Sequence, residues 1–223
     1  MGVIVDPTLQ ALLDRLHAQS AAQEAETVQY FTGRAQRNEI SWDDGLDADA
    51  NRFMADKMVA LDPIKAEFCW IMCRALRARR VVEVGTSFGV STLYLADAVR
   101  ANGGGTVIGT EYEPAKAAIA RAHFEAGGLS AFIDLREGDL RETLKVIEGP
   151  VDFVLMDIWT EMARPAVELL APHMHAGATV VVDNTAQFRH AYRHFFEFVA
   201  DPRNGFTTLT LPFEGGLEVV VKT

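Results

Sequence analysis

This sequence has few cysteines, no long apolar run and a negative net charge. Its only cysteines, Cys69 and Cys73, lie four positions apart in a helical stretch, so we expect buried thiols, not a disulfide framework, in a reducing cytoplasmic setting. No apolar run approaches the ~20 residues of a membrane span, and the first residues lack the basic flank and apolar block of a signal peptide. The net charge of −10 argues against nucleic acid or an anionic membrane as main partner.

The sequence changes character near residue 80. Residues 1–79 contain no convincing strand. Asp6-Pro7 starts a helix with leucines at helical spacing, the acidic stretch 41–50 interrupts the pattern, and Asp62-Pro63 starts another helix. From residue 80 onward, short runs rich in Val and Ile alternate with amphipathic stretches. This alternation predicts an α/β fold with a doubly wound, mostly parallel sheet.

The end of the chain departs from this alternation. GFTTLTLPF and GLEVVVKT are two strands joined by a short turn, so they predict a hairpin in which at least one strand runs antiparallel to the rest. Residues 186–201 before them are predicted to form the final helix. Without a linker or internal repeat we expect one domain over 1–223, in which helices of residues 1–60 cover a core formed by 61–223.

The loop GTSFG, residues 85–89, follows the first predicted strand and fits two different chemistries. As G-x-S-x-G it could present Ser87 as the nucleophile of a serine hydrolase. Asp183 with His190 or His194 would then complete the order of a catalytic triad. However, the loop follows the first strand of the sheet and no oxyanion segment lies upstream, and both facts argue against this alternative.

A nucleotide-like cofactor is the second interpretation of the loop. Dinucleotide binding calls for G-x-G-x-x-G, and the middle glycine is out of place here, although Glu111 ends the next strand where a carboxylate can bind ribose. Glu83 lies in an otherwise apolar strand, two residues before the turn, where it can orient the loop or meet a cationic ligand. S-adenosylmethionine, which carries a sulfonium and no phosphate, suits these acidic positions better than a pyrophosphate.

Three motifs together resemble the class I S-adenosylmethionine-dependent methyltransferases. They are E-V-G-x-x-x-G at the end of the first strand, TEYE at the end of the second and EGDL at the end of the third. The resemblance runs from about residue 55 to the end and implies a Rossmann-like seven-stranded sheet with an antiparallel C-terminal hairpin strand. It also implies cofactor contacts, which are the methionine-side residues Glu83, Gly85, Thr86, Ser87, Gly89 and Ser91, the ribose-side residues Glu111 and Tyr112, and the adenine-side residues Gly138, Asp139 and Leu140.

A second set of polar residues follows two other predicted strands. VDFVLMD ends in Asp157, and ATVVVDN ends in Asp183 and Asn184. Because parallel strands end on the same side of a sheet, these oxygen ligands can converge in a hard set of the kind that Mg²⁺ accepts. The alternative is that Asp183 and Asn184 only cap the following helix.

This second set resembles the metal ligands of the catechol and caffeoyl-coenzyme A O-methyltransferases. The resemblance implies a divalent cation (Mg²⁺ first, Ca²⁺ or Mn²⁺ otherwise) on Asp157, Asp183 and Asn184, with Asp157 also catalytic and in the cofactor site. The cation would hold a small catechol-like acceptor and acidify its hydroxyl. Trp159 would wall the pocket and the chain would form a homodimer.

One position departs from that family. Thr160 stands where family members commonly carry a lysine that acts as base, so no general base is assigned from the sequence. A metal-independent methyltransferase for small molecules, or a cofactor-binding module without catalysis, remain the alternatives to a cation-dependent O-methyltransferase.

Overall fold

The computed structural model describes residues 2–39 and 47–223. Over these residues eight α-helices accompany one seven-stranded sheet. The helices are α1 Pro7–Gln36, α2 Ala48–Met54, α3 Pro63–Ala75, α4 Val90–Ala101, α5 Pro114–Ala126, α6 Leu140–Thr143, α7 Thr160–Leu170 and α8 Arg193–Ala200. The strands are β1 Arg80–Val84, β2 Thr106–Glu111, β3 Ile133–Glu137, β4 Val151–Met156, β5 Met174–Asp183, β6 Phe206–Leu211 and β7 Leu217–Lys222. Most of the acidic stretch 41–50 lies outside the described residues.

The sheet has the order β3-β2-β1-β4-β5-β7-β6. Strands β1 to β5 pair in parallel, and β7 runs antiparallel to both of its neighbours, β5 and β6. This confirms the doubly wound, mostly parallel sheet with an antiparallel hairpin strand. In a parallel sheet the carboxyl ends of the strands meet at one edge, and a ligand crevice forms there.

Both faces of the sheet are covered by helices, so its central strands are apolar on both sides. Val81 and Phe153 pack in one hydrophobic cluster, whereas Val82 and Val154 pack in the cluster on the opposite face. This two-sided burial explains the continuous apolar runs of the sequence. Glu83 is the exception, because it is fully buried in the middle of such a run.

The helix starts predicted before residue 80 are confirmed. The carboxylate of Asp6 accepts hydrogen bonds from the backbone of Thr8 (2.9 Å) and Leu9 (3.3 Å) at the start of α1. Asp62 does the same for Ile64 at 2.9 Å in front of α3. These side chains satisfy amide groups that have no partner within the helix. Cys69 and Cys73 are buried free thiols on α3, and no helix within the described ranges is long and apolar enough to cross a membrane.

The prediction of the final helix was wrong at its start. Helix α8 begins at Arg193 instead of residue 186. The backbone amides of Ala186 and Gln187 both donate to the carbonyl of Gly215, at 3.0 and 2.9 Å, and Asn184 has a positive φ of 58°. The segment after β5 is therefore tied to the hairpin turn, and only isolated helical turns precede the continuous helix that starts at Arg193.

Candidate functional site

The loop at residues 85–89 is held from behind by Glu83. The buried carboxylate accepts hydrogen bonds from the hydroxyls of Thr86 (2.9 Å), Ser91 (2.7 Å) and Thr92. Burial raises the pKa of the Glu83 carboxyl, and the three hydroxyl donors act against that rise. These contacts join the loop, the start of α4 and the end of β1 into one unit. Glu83 thus orients the loop, as the sequence allowed, and does not line the cavity described below.

Glu111, at the end of β2, holds the same loop from its other side. Its carboxylate accepts hydrogen bonds from the backbone amides of Ser87, at 2.7 Å, and Glu113, at 2.8 Å. Ser87 has a positive φ of 50°, and this contact offsets the cost of that conformation. Each carboxylate oxygen keeps a second lone pair, so Glu111 can still accept hydrogen bonds from a ligand hydroxyl.

The serine-hydrolase alternative finds no support in the structure. Asp183 pairs with Lys65 at 2.6 Å, and His194 lies 3.0 Å from Glu197. The carboxylate and this histidine, which a triad at Ser87 would need, are therefore engaged elsewhere.

Gly85 brings the loop against the end of β4. The residue has a φ of +96°, and a Cβ atom added to it would lie 2.1 Å from the carbonyl oxygen of Asp157. The amide of Asp157 in turn donates to the carbonyl of Val84 at 3.0 Å. Only glycine fits a backbone approach this close, so the loop and Asp157 have a fixed relative position.

A cavity of about 740 Å³ opens at this edge of the sheet. Apart from Glu83 and Gly89, all predicted cofactor residues line it, namely Gly85, Thr86, Ser87, Ser91, Glu111, Tyr112, Gly138, Asp139, Leu140, Asp157 and Trp159. Gly89 instead packs behind the loop, where an added Cβ would lie 2.4 Å from the ring of Phe124. Thr160 and Asn184 also line the cavity. Its size lies within the range of pockets that bind drug-sized ligands.

The opposite wall comes from residues that no motif singled out. Thr27 and Phe31 of α1, Met54 of α2 and the segment 57–61 face the cavity. Tyr112 and Trp159 are 70% and 38% exposed, so both are accessible at the cavity surface and neither is a core residue. Asp139 accepts a hydrogen bond from the amide of Arg141 at 2.9 Å, as the N-cap of α6.

The predicted metal ligands share this edge of the sheet but face different partners. Lys65 on α3 places its ammonium 2.6 Å from Oδ1 of Asp183, and Asn184 donates from Nδ2 to Oδ2 of Asp183 at 3.1 Å. Asp157 lines the cavity and Asp183 does not. Burial and the negative charges of Asp183 and Glu83 raise the pKa of the Asp157 carboxyl well above its usual range.

As arranged, these residues do not fit a divalent cation. One oxygen of Asp183 is paired with an ammonium and the other with the Asn184 amide. Across residues 2–39 and 47–223, no three His, Cys, Asp or Glu side chains are grouped so that they could hold a metal ion. We therefore derive no chemical step through a metal.

The sequence analysis did not identify Lys65 as a residue of the site, although its position in the sequence indicates a buried ion pair. Lys65, Cys69 and Cys73 are spaced at i, i+4 and i+8, so they lie on one face of α3, and all three are buried. A lysine on the buried face of a helix implies a buried carboxylate partner. Which carboxylate it meets, 118 positions away, is a matter of tertiary structure.

Glu83→Gln tests whether Glu83 holds the loop. The amide has one acceptor oxygen instead of two and brings two N–H donors toward hydroxyls, so we expect unfolding free energy to fall by about 1–3 kcal/mol. Urea denaturation measures this. Glu125→Gln, at an exposed position of α5, should change stability by no more than about 0.5 kcal/mol. Equal losses in the two variants would contradict the role of Glu83.

Comparison with known proteins gives a consistent picture. Residues 82–185 match the family described as "Methyltransferase domain". The chain is 32% identical over 127 residues to a catechol O-methyltransferase of Mycobacterium tuberculosis, covering 56% of this chain and 57% of that protein. It is 30% identical over 152 residues to a catechol O-methyltransferase of Niastella koreensis, covering 64% of this chain and 66% of that one. The matches thus span less than two thirds of these relatives' length.

A solved structure resembles nearly the whole chain. The O-methyltransferase of Bacillus cereus, crystallised with S-adenosylhomocysteine (SAH), covers 99% of this chain and 94% of its own, with a TM-score of 0.68 and 20% identity. At that identity the likeness concerns the fold.

Proposed function

We propose that this chain, a class I methyltransferase by its fold and by the domain at residues 82–185, transfers a methyl group from S-adenosylmethionine to a hydroxyl of a small acceptor. The observation that carries the proposal is the cavity at the carboxyl edge of the sheet, since the predicted cofactor residues converge there from the ends of four strands, β1 to β4. Two carboxylates, Glu83 and Glu111, shape the loop that borders it.

The residues that border the cavity suit this cofactor. Ser87 and Ser91 would lie at its methionine end, Glu111 at the ribose and Leu140, beside Asp139, at the adenine. Hydroxyl and carboxylate groups that accept hydrogen bonds match an ammonium and a ribose, whereas a pyrophosphate would meet like charge. When bound, S-adenosylmethionine supplies a methyl group activated by the sulfonium.

Asp157 is the residue to which we assign the acceptor. Asp157 lines the cavity, and its backbone carbonyl lies against Gly85, where the methionine end of the cofactor would lie. In its ionised form the Asp157 carboxylate can accept a hydrogen bond from the acceptor hydroxyl and orient its oxygen. The hydroxyl proton leaves to this carboxylate as the oxygen–carbon bond replaces the sulfur–carbon bond. Thr160 lies on the same wall and is no base of comparable strength.

A catechol-like aromatic is the acceptor that we propose. Two of the similar proteins bear the name catechol O-methyltransferase, and Phe31, Trp159 and Phe188 give the cavity aromatic walls. The divalent cation expected from the sequence is not part of this proposal, because the Asp183 oxygens are already engaged.

We also propose that residues 1–60 cover the pocket of a single domain. Thr27, Phe31 and Met54 of this segment line the cavity opposite the cofactor loop, which supports a role in acceptor selectivity. The homodimer stays a prediction, which gel filtration with light scattering tests.

Calorimetric titration with S-adenosylmethionine tests the proposed function first. We expect saturable binding, weakened at least about tenfold in Glu111→Gln because the loop anchor and the ribose acceptor are both altered. Glu137→Gln is the matched control, since Glu137 is the register partner of Glu111 on β3 and pairs with Arg121 at the surface. Absence of binding at millimolar cofactor, or binding of NAD instead, would refute the proposal. Mass spectrometry of catechols incubated with cofactor then tests transfer.

A further inference from the structure

The carboxylates at the carboxyl ends of β4 and β5 lie beside a positively charged side chain, that of Lys65. The ammonium of Lys65 lies 2.6 Å from Asp183, and the two side chains are only 5% and 7% exposed. Burial removes the hydration of both charges, so such a pair persists only when each group meets its partner. The pair is therefore a fixed structural element of this site, whereas the exposed ion pairs on the surface are hydrated and less constrained.

The charges around Lys65 resemble those of a metal site. Asp183 touches the ammonium, and Asp157 and Glu83 complete a group of three neighbouring carboxyls. The negative charges of Asp183 and Glu83 raise the pKa of Asp157, and Lys65 lowers it. Carboxylates this close need a positive charge among them, which metalloproteins supply with an ion. Here a side chain supplies it.

Each carboxylate oxygen of Asp183 already has a donor, one of them a charged ammonium, which a divalent ion would have to displace or lie beside. Lys65 takes Oδ1 of Asp183 and the Asn184 amide nitrogen takes Oδ2. The amide oxygen of Asn184 faces the hairpin turn, where a Cβ added to Gly215 would lie 2.3 Å from it. A divalent ion placed among these groups would also be repelled by the ammonium at short range.

We infer that the Lys65 ammonium is the resident cation of this site, and that the methyl transfer proposed above proceeds without a divalent metal. The inference rests on that proposed function for its second half only. Lys65 does not line the cavity, so it is a positioning residue. It neutralises Asp183 and leaves Asp157 as the carboxylate available to the acceptor.

Manganese binding to the unmodified protein gives the first test, read by electron paramagnetic resonance after treatment with EDTA. We expect no saturable Mn²⁺ site that depends on Asp183. Methyl transfer should be the same within about twofold in EDTA and in Mg²⁺. A single Mn²⁺ site that disappears in Asp183→Asn, or turnover that EDTA abolishes and Mg²⁺ restores, would overturn the inference.

Lys65→Ala gives the second test. Removing the ammonium leaves a space beside Asp157, Asp183 and Asn184 and leaves the negative charge there without a cation. We therefore expect the variant to bind Mn²⁺ at least about tenfold more tightly than the unmodified protein. Its thermal midpoint should rise when Mn²⁺ is added. The double variant Lys65→Ala, Asp183→Asn should lose that response. Lys145→Ala, at an exposed lysine paired with Glu142 at 2.6 Å, is the control and should gain no site.

The outcomes separate this inference from the proposed function. If Lys65→Ala gains no Mn²⁺ site, Lys65 does not take the place of a metal and the inference fails. Should that variant not fold, Lys65→Met keeps the apolar stem, and the measurements on the unmodified protein decide by themselves. If no acceptor is methylated while the Mn²⁺ results are as expected, the proposed function fails and the assignment of the cation stands.

Discussion

Asp157→Asn is expected to lower kcat for methyl transfer at least about 100-fold, because an amide cannot take the proton of the acceptor hydroxyl. The same change should leave the fold as stable as before or make it more stable. Burial and the charges of Asp183 and Glu83 raise the pKa of Asp157 in the folded protein. A carboxyl whose folded pKa lies above its unfolded value opposes folding at every pH above the unfolded pKa, so removing its charge relieves a cost.

Asp152→Asn is the matched control at the other end of the same strand. Asp152 accepts hydrogen bonds from the backbone amides of Arg79 and Arg80, at 2.7 and 2.8 Å, and its pKa is lowered, with His175 also contributing. This variant should lose stability and keep its turnover. Single-turnover kinetics and urea denaturation of the two variants provide the measurements. Full activity of Asp157→Asn, or loss of folding in it, would contradict the assigned role.

Gly85→Ala is expected to have the largest effect of any methyl-sized change at the site. The added Cβ would lie 2.1 Å from the carbonyl oxygen of Asp157, and the residue has a φ of +96°. The left-handed conformation alone costs an alanine about 1–2 kcal/mol, and displacing backbone adds roughly 1–3 kcal/mol. Because the loop must move away from Asp157, affinity for S-adenosylmethionine should fall at least about 100-fold.

Gly103→Ala separates the two contributions. Gly103 has a φ of +89° and no atom within 4 Å of an added Cβ, so only the conformational cost applies there. We expect a smaller stability loss, with unchanged cofactor affinity. Urea denaturation and calorimetric titration compare the variants, and equal behaviour of the two would mean that the contact between loop and β4 is unimportant.

The positions of the strands and of the loop at residues 85–89 could be predicted from the sequence because they depend on local patterns. Val- and Ile-rich runs specify strands buried on both faces, and glycines mark turns next to them. Gly85 and Glu111 reached their predicted places because parallel strands end at a common edge. The final helix was predicted too long, since the contacts of Ala186 and Gln187 with Gly215 join segments that are distant in sequence.

The surroundings of Asp157 and Asp183 could be predicted only in part from the sequence. The ends of the predicted strands indicated correctly that Asp157 and Asp183 lie at one edge of the sheet. Helix α3, however, packs against the sheet by tertiary contacts that no sequence motif encodes. Lys65 arrives at Asp183 by that packing. The residues that wall the cavity from α1 and α2 could not be foreseen for the same reason.

The anchoring of the loop by Glu83 and Glu111 has a thermodynamic consequence. Fixing the backbone of one residue costs roughly 1–2 kcal/mol in conformational entropy. In residues 85–89 that entropy is lost when the chain folds, since the hydroxyl and amide donors of the loop find their carboxylates within the protein. A ligand that enters a shape already formed gains affinity, because little ordering remains to oppose binding. We therefore expect stability and the proposed affinity for S-adenosylmethionine to depend on the same contacts.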